Sequence, residues 1–463
     1  MSDVSTQSPA IKAMAEDWPI IDALMGGTKT MRAAGEKFMP RWPLEDRQEY
    51  DARLKTATLY PALSETVEQM IGRVFGDQIS RKDVPQRIED EVLLNVDREG
   101  RSLDVFAAAW FGEALQRGVS YLLVNYPRVE GARTMADEKA AGARPYWCHI
   151  SPKSVLGWKT DKSGGSERLV QFRYLEQIEE PDGEFGVKVI KQIVVLEPGR
   201  CRLYREAGAD WSLCDEFEMT AGSGPLKDIP LIPLYTKRTG FLTGKPPLLE
   251  LAHLNVKHWQ SQSDQDTILH TARVPILARI GAEPQYDQEG RKRDDMQIGK
   301  SLIDLPLNGD MKYVEHTGAA IVAGKESLAD LEEQMKVAGA KLLTRSVLAM
   351  TDSQARGESL KEISQLRAMA NALEDSIAKA LDYTAMWMGL GDNGGEVEIS
   401  GNIDADFDPS ASMDVLVKMG LSPETMFSEA KRRGLISESL TWAEELERRA
   451  GQPPLGRCNG DGQ

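Results

Sequence analysis

Two stretches of the chain place a glycine beside a lysine, where backbone N–H groups could cradle a phosphate. A phosphate loop needs G-x-x-x-x-G-K-[ST], so that glycines let the backbone approach the phosphates and the hydroxyl holds magnesium. The run GAAIVAGKES (318–327) has five residues between Gly318 and Gly324 where four are required, and Glu326 stands where the hydroxyl should be. The run GFLTGKPP (240–247) follows Lys245 with two prolines, which remove the donors such a loop relies on. Both read as turns before helices.

Metal and nucleophile chemistry find equally little footing, and no catalytic residue, metal ligand or cofactor is assigned. The five histidines (His149, His253, His258, His270, His316) form no H-E-x-x-H pair. His253 and His258, five residues apart, fall on different faces of a helix, so surface or inter-subunit positions are expected for them. In DADFDPSASMDV (404–415) carboxylates alternate as in a calcium loop, but Pro409 replaces the turn glycine and Val415 the bidentate acid. A solvated turn is the simpler reading, with a weak cation site near Asp404–Asp408 left open. No G-x-S-x-G exists, and pairs such as Glu179-Glu180 and Glu332-Glu333 read as solvated faces. Cys148, Cys201, Cys214 and Cys458 lack any C-x-x-C spacing and read as reduced thiols; pairing of Cys201 with Cys214 across a hairpin stays open.

Basic groups that could touch a polyanion or a partner are few. Arg291, Lys292 and Arg293 cluster in a segment without helical periodicity, and the small polar run TDSQARGES (351–359) holds Ser353, Gln354 and Arg356, with Lys361 just beyond it. An ordinary solvated loop is the competing reading of each. The whole chain of 463 residues carries a net charge of −16. A protein that grips nucleic acid needs Lys and Arg against phosphates, so this balance argues against tight binding. It is compatible with a wall that DNA passes without sticking. No apolar run is long enough to cross a membrane, and the polar stretch Met1 to Lys12 reads as a disordered tail and not as a signal peptide.

The elements that must position these residues follow from periodicity. Helical spacing begins near Glu45, breaks near Pro61 and resumes through Leu63, Val67, Met70 and Val74. Ser102 caps a helix that buries Val105, Phe106, Ala109, Trp110 and Leu115 and stops at Gly118. VSYLLVNYP (119–127) is a buried strand, and 145–235 alternates as an antiparallel meander. Residues 18–240 thus form an α+β domain. Beyond Pro246-Pro247 a helix runs to about Ala272, apolar on one face at first but polar all round at QSQSDQDT (260–267). Such a segment suits a bridge between neighbours or a wet channel wall. About 50 residues of short strands and turns come next. Helix returns from Ser327 with a seam at Leu328, Leu331, Met335, Ala338 and Leu342. After the polar break at 351–359 comes a helix of about 30 residues through Leu366, Leu373, Ile377 and Leu381, on the order of 45 Å long. A strand at 396–403 and a short helical tail complete the chain.

This order resembles the portal proteins of tailed bacteriophages. Local stretches carry it: YDARLKTATLYPALSETVEQMIGRVFG (50–76), FAAAWFGEALQRGVSYLLVNYP (106–127) with PYWCHISPKSVLGW (145–158), and above all the stretch from IPLIPLY to GKPPLLELAHLNVKHWQSQSDQDTILHTARVPILARIG (229–281). The resemblance implies a tail (1–17), a wing (18–245), a stem helix (246–273), a clip (274–323) and a second stem helix (324–350). A tunnel loop (351–358), a long helix and strand (359–404), a small helical crown (405–450) and a disordered tail (451–463) would complete the subunit. It implies a non-enzymatic homo-oligomer, usually a dodecamer, at one capsid vertex of a virion assembled in a bacterial host's cytoplasm. Double-stranded DNA would pass Ser353, Gln354, Arg356 and Lys361, and the clip, with Arg291, Lys292 and Arg293, would dock the terminase large subunit and then a head–tail connector. Major capsid and scaffold proteins would be further partners. Two other readings stay open: a different phage structural component, such as a connector or minor capsid protein, and an enzyme acting on nucleic acid.

Overall fold

The computed structural model describes residues 3–127, 142–163, 165–208, 210–221, 224–272, 276–280, 310–314, 318–340, 352–400, 422–432 and 441–450. They belong to two compact units, 1–403 and 404–463. The fold is α+β.

The first unit opens with a helix, α1 (Pro9–Ala15), where a disordered tail was expected. Ser8 caps it, accepting from the Ile11 amide, and Pro9 pre-sets the first turn. Ile11, Met14 and Trp18 are buried, and their spacing of three and four is an apolar stripe diluted by the polar residues around it. The stripe packs on the sheet residues Val119, Tyr121 and Phe172. Helices α2 (Trp18–Met25), α3 (Gly27–Ala34), α4 (Arg47–Thr56), α5 (Ala62–Val74) and α6 (Leu103–Arg117) come next. The expected break near Pro61 falls between α4 and α5.

Gly118 ends α6 in the left-handed region at φ 84°. A Cβ there would lie 2.3 Å from the Lys245 backbone, so only glycine allows the chain to close at this point. The strand Val119–Asn125 then runs through the centre of a three-stranded antiparallel sheet, between Leu231–Tyr235 and Tyr146–Ile150. The meander is a second, five-stranded antiparallel sheet. Its strands Val155–Asp161, Arg168–Asp182, Gly186–Glu197, Arg200–Ala207 and Asp210–Glu218 lie in chain order. Pairing of Cys201 with Cys214 is ruled out by register: Cys201 lies opposite Phe217 and is buried, whereas Cys214 is exposed beside a bulge at Leu203/Tyr204. Cys148 is also a free thiol; Cys458 lies outside the described residues.

Three long helices complete the first unit: α7 (Leu249–Ala272), α8 (Ala319–Ala340) and α9 (Asp352–Trp387). The expected stripe of α9 forms one wall of the main core, with Leu366, Ala370, Leu373, Ile377, Ala380 and Leu381 fully buried, and the helix packs on the strands Leu231–Tyr235 and Val119–Asn125, on α5 and on the turn at Gln86–Ile88. Each such leucine or isoleucine stabilises the fold by about 1.5–3 kcal/mol relative to exposure. Beyond α9, Glu396–Glu398 pairs antiparallel with Ser80–Lys82, with Arg81 opposite Val397, and Lys82 Nζ lies 2.6 Å from Glu398 Oε2. In the second unit, Pro423–Arg432 and Trp442–Ala450 are helical and the Phe427 and Trp442 rings pack at 5.2 Å. The strand expected at 396–403 is thus three residues long, and 401–421, with the carboxylates of 404–408, lies outside the described residues, as does the tail 451–463.

Candidate functional site

Helices α7 and α8 pack along one another and set the geometry of the middle of the chain. Leu328, Leu331 and Met335 of the expected seam are buried, while Ala338 is exposed and Leu342 lies outside the described residues. The closest approach is at Gly324. A Cβ there would lie 1.9 Å from Gln265 Oε1, and Gln265 Nε2 donates to the Ile321 carbonyl at 3.0 Å. Glycine therefore serves helix contact here, not phosphate binding. Gly318, at φ 75°, precedes the helix, and Lys325 and Glu326 sit on its exposed side. The helix accordingly begins at Ala319, five residues before the boundary implied by the resemblance. Gly244, likewise, lies in a short strand paired with Arg238.

The chain between the two helices returns on itself as an antiparallel strand pair, Ile276–Ile280 with Asp310–Val314, Ile276 opposite Val314. Residues 281–309 lie outside the described residues, and Arg291, Lys292 and Arg293 with them. Ser353, Gln354, Arg356 and Lys361 are placed differently from expectation. All four sit on the backbone of α9, so over 352–358 there is helix where a loop was expected. Gly357 is the one strongly helix-disfavouring residue in that stretch. A single interior glycine costs about 1 kcal/mol, too little to break a 36-residue helix.

The polar half of α7 also departs from expectation. Residues 260–267 are buried or half-buried within the chain itself, with Ser263 and Gln265 among the most buried. Gln260 donates to the Phe38 carbonyl at 2.9 Å, and Gln262 donates to Asp266 at 2.9 Å. Ser263 lies on the Met39 sulfur at 3.6 Å. The segment is a polar interior, satisfied by the loop before α4 on one side and by α8 on the other, rather than a wall left open to water. That loop is itself fixed by charge. Arg53 of α4 grips Glu45 with two hydrogen bonds, 2.6 and 2.8 Å, stacks 4.3 Å over the Trp42 ring and lies 3.7 Å from Asp264 of α7. Hydrogen bonding from Arg53 holds the Glu45 carboxyl below its usual range, whereas burial pushes that of Asp264 up.

Two buried polar groups, Asn255 and His258, and the half-buried His149 went unread in the sequence. Asn255 of α7 reaches Leu63 and Tyr60 at the start of α5. His258, expected at a surface, is 2 % exposed. Its Nε2 lies 3.7 Å from Glu332 of α8, beyond hydrogen-bond range, and burial pushes its pKa down. His149 lies 2.7 Å from Ser120 Oγ. Ser120 is fully buried on the central strand, so the pair has the distance of a nucleophile and base but no exposed serine surface. The only signal for Asn255 and His258 is a polar residue at apolar spacing. Among the described residues no group of three or more His, Cys, Asp or Glu is placed to hold a metal ion, and no helix among them is long and apolar enough to cross a membrane.

A family model described as "Domain of unknown function (DUF4055)" matches residues 247–388, which span α7, the strand pair, α8 and α9. No curated protein matches the chain. Among solved structures, a chain from the neck of a native GTA particle computed with C12 symmetry is 14% identical, with a TM-score of 0.41, over 79% of this chain and 88% of that one. A chain from the virion of a native gene transfer agent (GTA) particle is 13% identical, TM-score 0.39, over 92% and 99%. One from the neck of an empty GTA particle computed with C6 symmetry is 13% identical, TM-score 0.43, over 86% and 96%. Likenesses this distant do not assign a function to the chain.

Proposed function

We propose that this chain is a structural subunit of a ring of the phage-portal type, a conduit for double-stranded DNA at one vertex of a virion and a platform for packaging and tail proteins. The observation that carries the reading is the order in the middle of the chain. Two helices, Leu249–Ala272 and Ala319–Ala340, lie side by side, an antiparallel strand pair stands between them in sequence, and a 36-residue helix leads into the α+β body. That is the stem, clip, stem and long-helix order the sequence resemblance implies. The acidic balance of −16 suits a channel lining that DNA slides past.

In this reading the clip, 274–323, with Arg291, Lys292 and Arg293, docks the terminase large subunit and later a head–tail connector. Residues near the start of α9, Ser353, Gln354, Arg356 and Lys361, lie toward the channel. Major capsid and scaffold proteins contact the outer body, and the chain performs no catalysis and needs no cofactor. Twelve copies are the expected number.

The test is electron microscopy of the purified full-length protein with mass photometry. Closed rings with a central hole wide enough for duplex DNA, roughly 20 Å or more, are expected. A monomer that persists at the highest soluble concentration overturns the reading. Deleting 281–309 should leave rings intact while abolishing terminase binding; loss of neither would point to a different phage structural component.

A further inference from the structure

Among the described residues of α7, two keep buried polar atoms without a hydrogen bond, His258 and, through its indole N–H, Trp259; only the imidazole of His258 can take up a proton. Asn255, Gln260, Gln262, Ser263 and Gln265 all have partners, whereas both ring nitrogens of His258 are buried without a hydrogen bond. An orphaned buried polar atom gives up its bonds to water with nothing in return. The ring rests against Tyr60, centroids 5.2 Å apart, in the contact between α7 and α8.

We infer that His258 is a proton-sensitive element of the α7–α8 contact: neutral while the two helices are packed, and driving α8 away from α7 when it takes up a proton. The charges around it fix the sign. From α8 the facing group is Glu332, whose carboxylate at 3.7 Å is too far for a hydrogen bond and whose side chain is 40% exposed. From the segment before α5 it is the Tyr60 ring; Glu65 and Glu68 of α5 are exposed. From α4 the cation is Arg53, committed to Glu45 and Asp264, and from α2 the anion is Asp22, engaged by Arg117 and Lys153. On α7 itself Lys257 is exposed. One distant, half-solvated carboxylate thus faces a ring in a dry site, and burial outweighs it in pushing the histidine pKa down.

This couples packing to pH with a definite sign. A histidine with a lowered pKa in the packed state and its ordinary value of 6.5 when loosened makes packing tighter above pH 6.5. That advantage fades as the pH falls from there toward the lowered value. At pH 5.5 the loosened state can gain at most about elevenfold from one such group.

The experiment is hydrogen exchange of the full-length protein at pH 7.5 and 5.5, corrected for the intrinsic rate, read on peptides from 319–340. Wild type should lose several-fold protection there at pH 5.5, within the bound of about tenfold that one such group sets between these two pH values. His258→Gln should remove the difference. Glu332→Gln, by taking away the counter-charge, should enlarge it. Equal protection of wild type at both pH values overturns the inference, as does an undiminished loss in His258→Gln. A loss reduced by Glu332→Gln also overturns it, because that would make the charged pair a tether. Should His258→Gln fail to fold, wild type and Glu332→Gln decide alone. None of these readouts depends on ring formation or on DNA.

Discussion

Asn255 of α7 accepts a hydrogen bond from the Leu63 amide at 3.2 Å, while its side-chain amide donates to the Tyr60 carbonyl at 2.9 Å. Pro61 precedes α5 and offers no side-chain cap, so the helix start is satisfied from 192 residues away. Asn255→Leu keeps the size of the side chain and leaves the Leu63 N–H without that acceptor. A loss of about 2–3 kcal/mol is expected, measured as a drop in urea midpoint at unchanged slope. A change under about 0.5 kcal/mol would mean that the α5 start finds another acceptor.

Trp147 and Thr384 form a second long-range tie. The indole N–H donates to the Thr384 hydroxyl at 3.0 Å, and that hydroxyl donates to the Ala380 carbonyl at 2.8 Å. Thr384→Val removes both bonds and leaves a buried N–H behind, at a cost of about 1–3 kcal/mol. In a double-mutant cycle with Trp147→Phe the two losses should fall short of additivity by at least about 0.5 kcal/mol.

The Glu45–Arg53 pair gives a pH dependence of known sign. Because Arg53 lowers the Glu45 carboxyl below its ordinary value of 4.5, the stabilisation is complete above that value and fades as the pH falls through the lowered one. Glu45→Gln should flatten this part of the acid limb of stability against pH. At neutral pH it should cost about 3–5 kcal/mol, since a buried guanidinium loses its main partner. Thermal melts between pH 3 and 7 would show both effects.

Gly118 tests the closure between α6 and the turn at Lys245. Gly118→Ala places a methyl group into backbone and asks an L-residue to hold φ near 84°. A loss on the order of 3 kcal/mol or more is expected in chemical unfolding. Gly357→Ala is the opposite case: inside α9 it should raise stability by up to about 1 kcal/mol.

Much of the frame was legible because it obeys simple periods. The α9 stripe at Leu366, Ala370, Leu373, Ile377 and Leu381 follows steps of three and four, and the meander alternates between punctuating turns. The misreadings have a common physical source. Ile11, Met14 and Trp18 are too few to raise the hydropathy of a polar stretch, yet one sheet face is enough to order them. The polar half of α7 has no apolar stripe, and its burial depends on carbonyls offered by Phe38 and Ile321, which no local pattern shows. The helix through 352–358 reflects tertiary and neighbouring helical context overriding one glycine. For the candidate site, spacing marked the helices that bear it but not His258 or Asn255, because a lone polar residue at apolar spacing looks the same whether it is partnered or orphaned.

The pairing of Ser80–Lys82 with Glu396–Glu398 has a consequence for synthesis. The three-stranded sheet and α5 pack against a wall that α9 supplies, and the three-residue zipper behind it waits for residue 398. A nascent chain that has reached only residue 350 therefore holds Leu122, Val124, Ile232 and Leu234 of the three-stranded sheet without their final cover. The most aggregation-prone interval lies late in translation, and the chain's demand for chaperones should peak just before α9 leaves the ribosome.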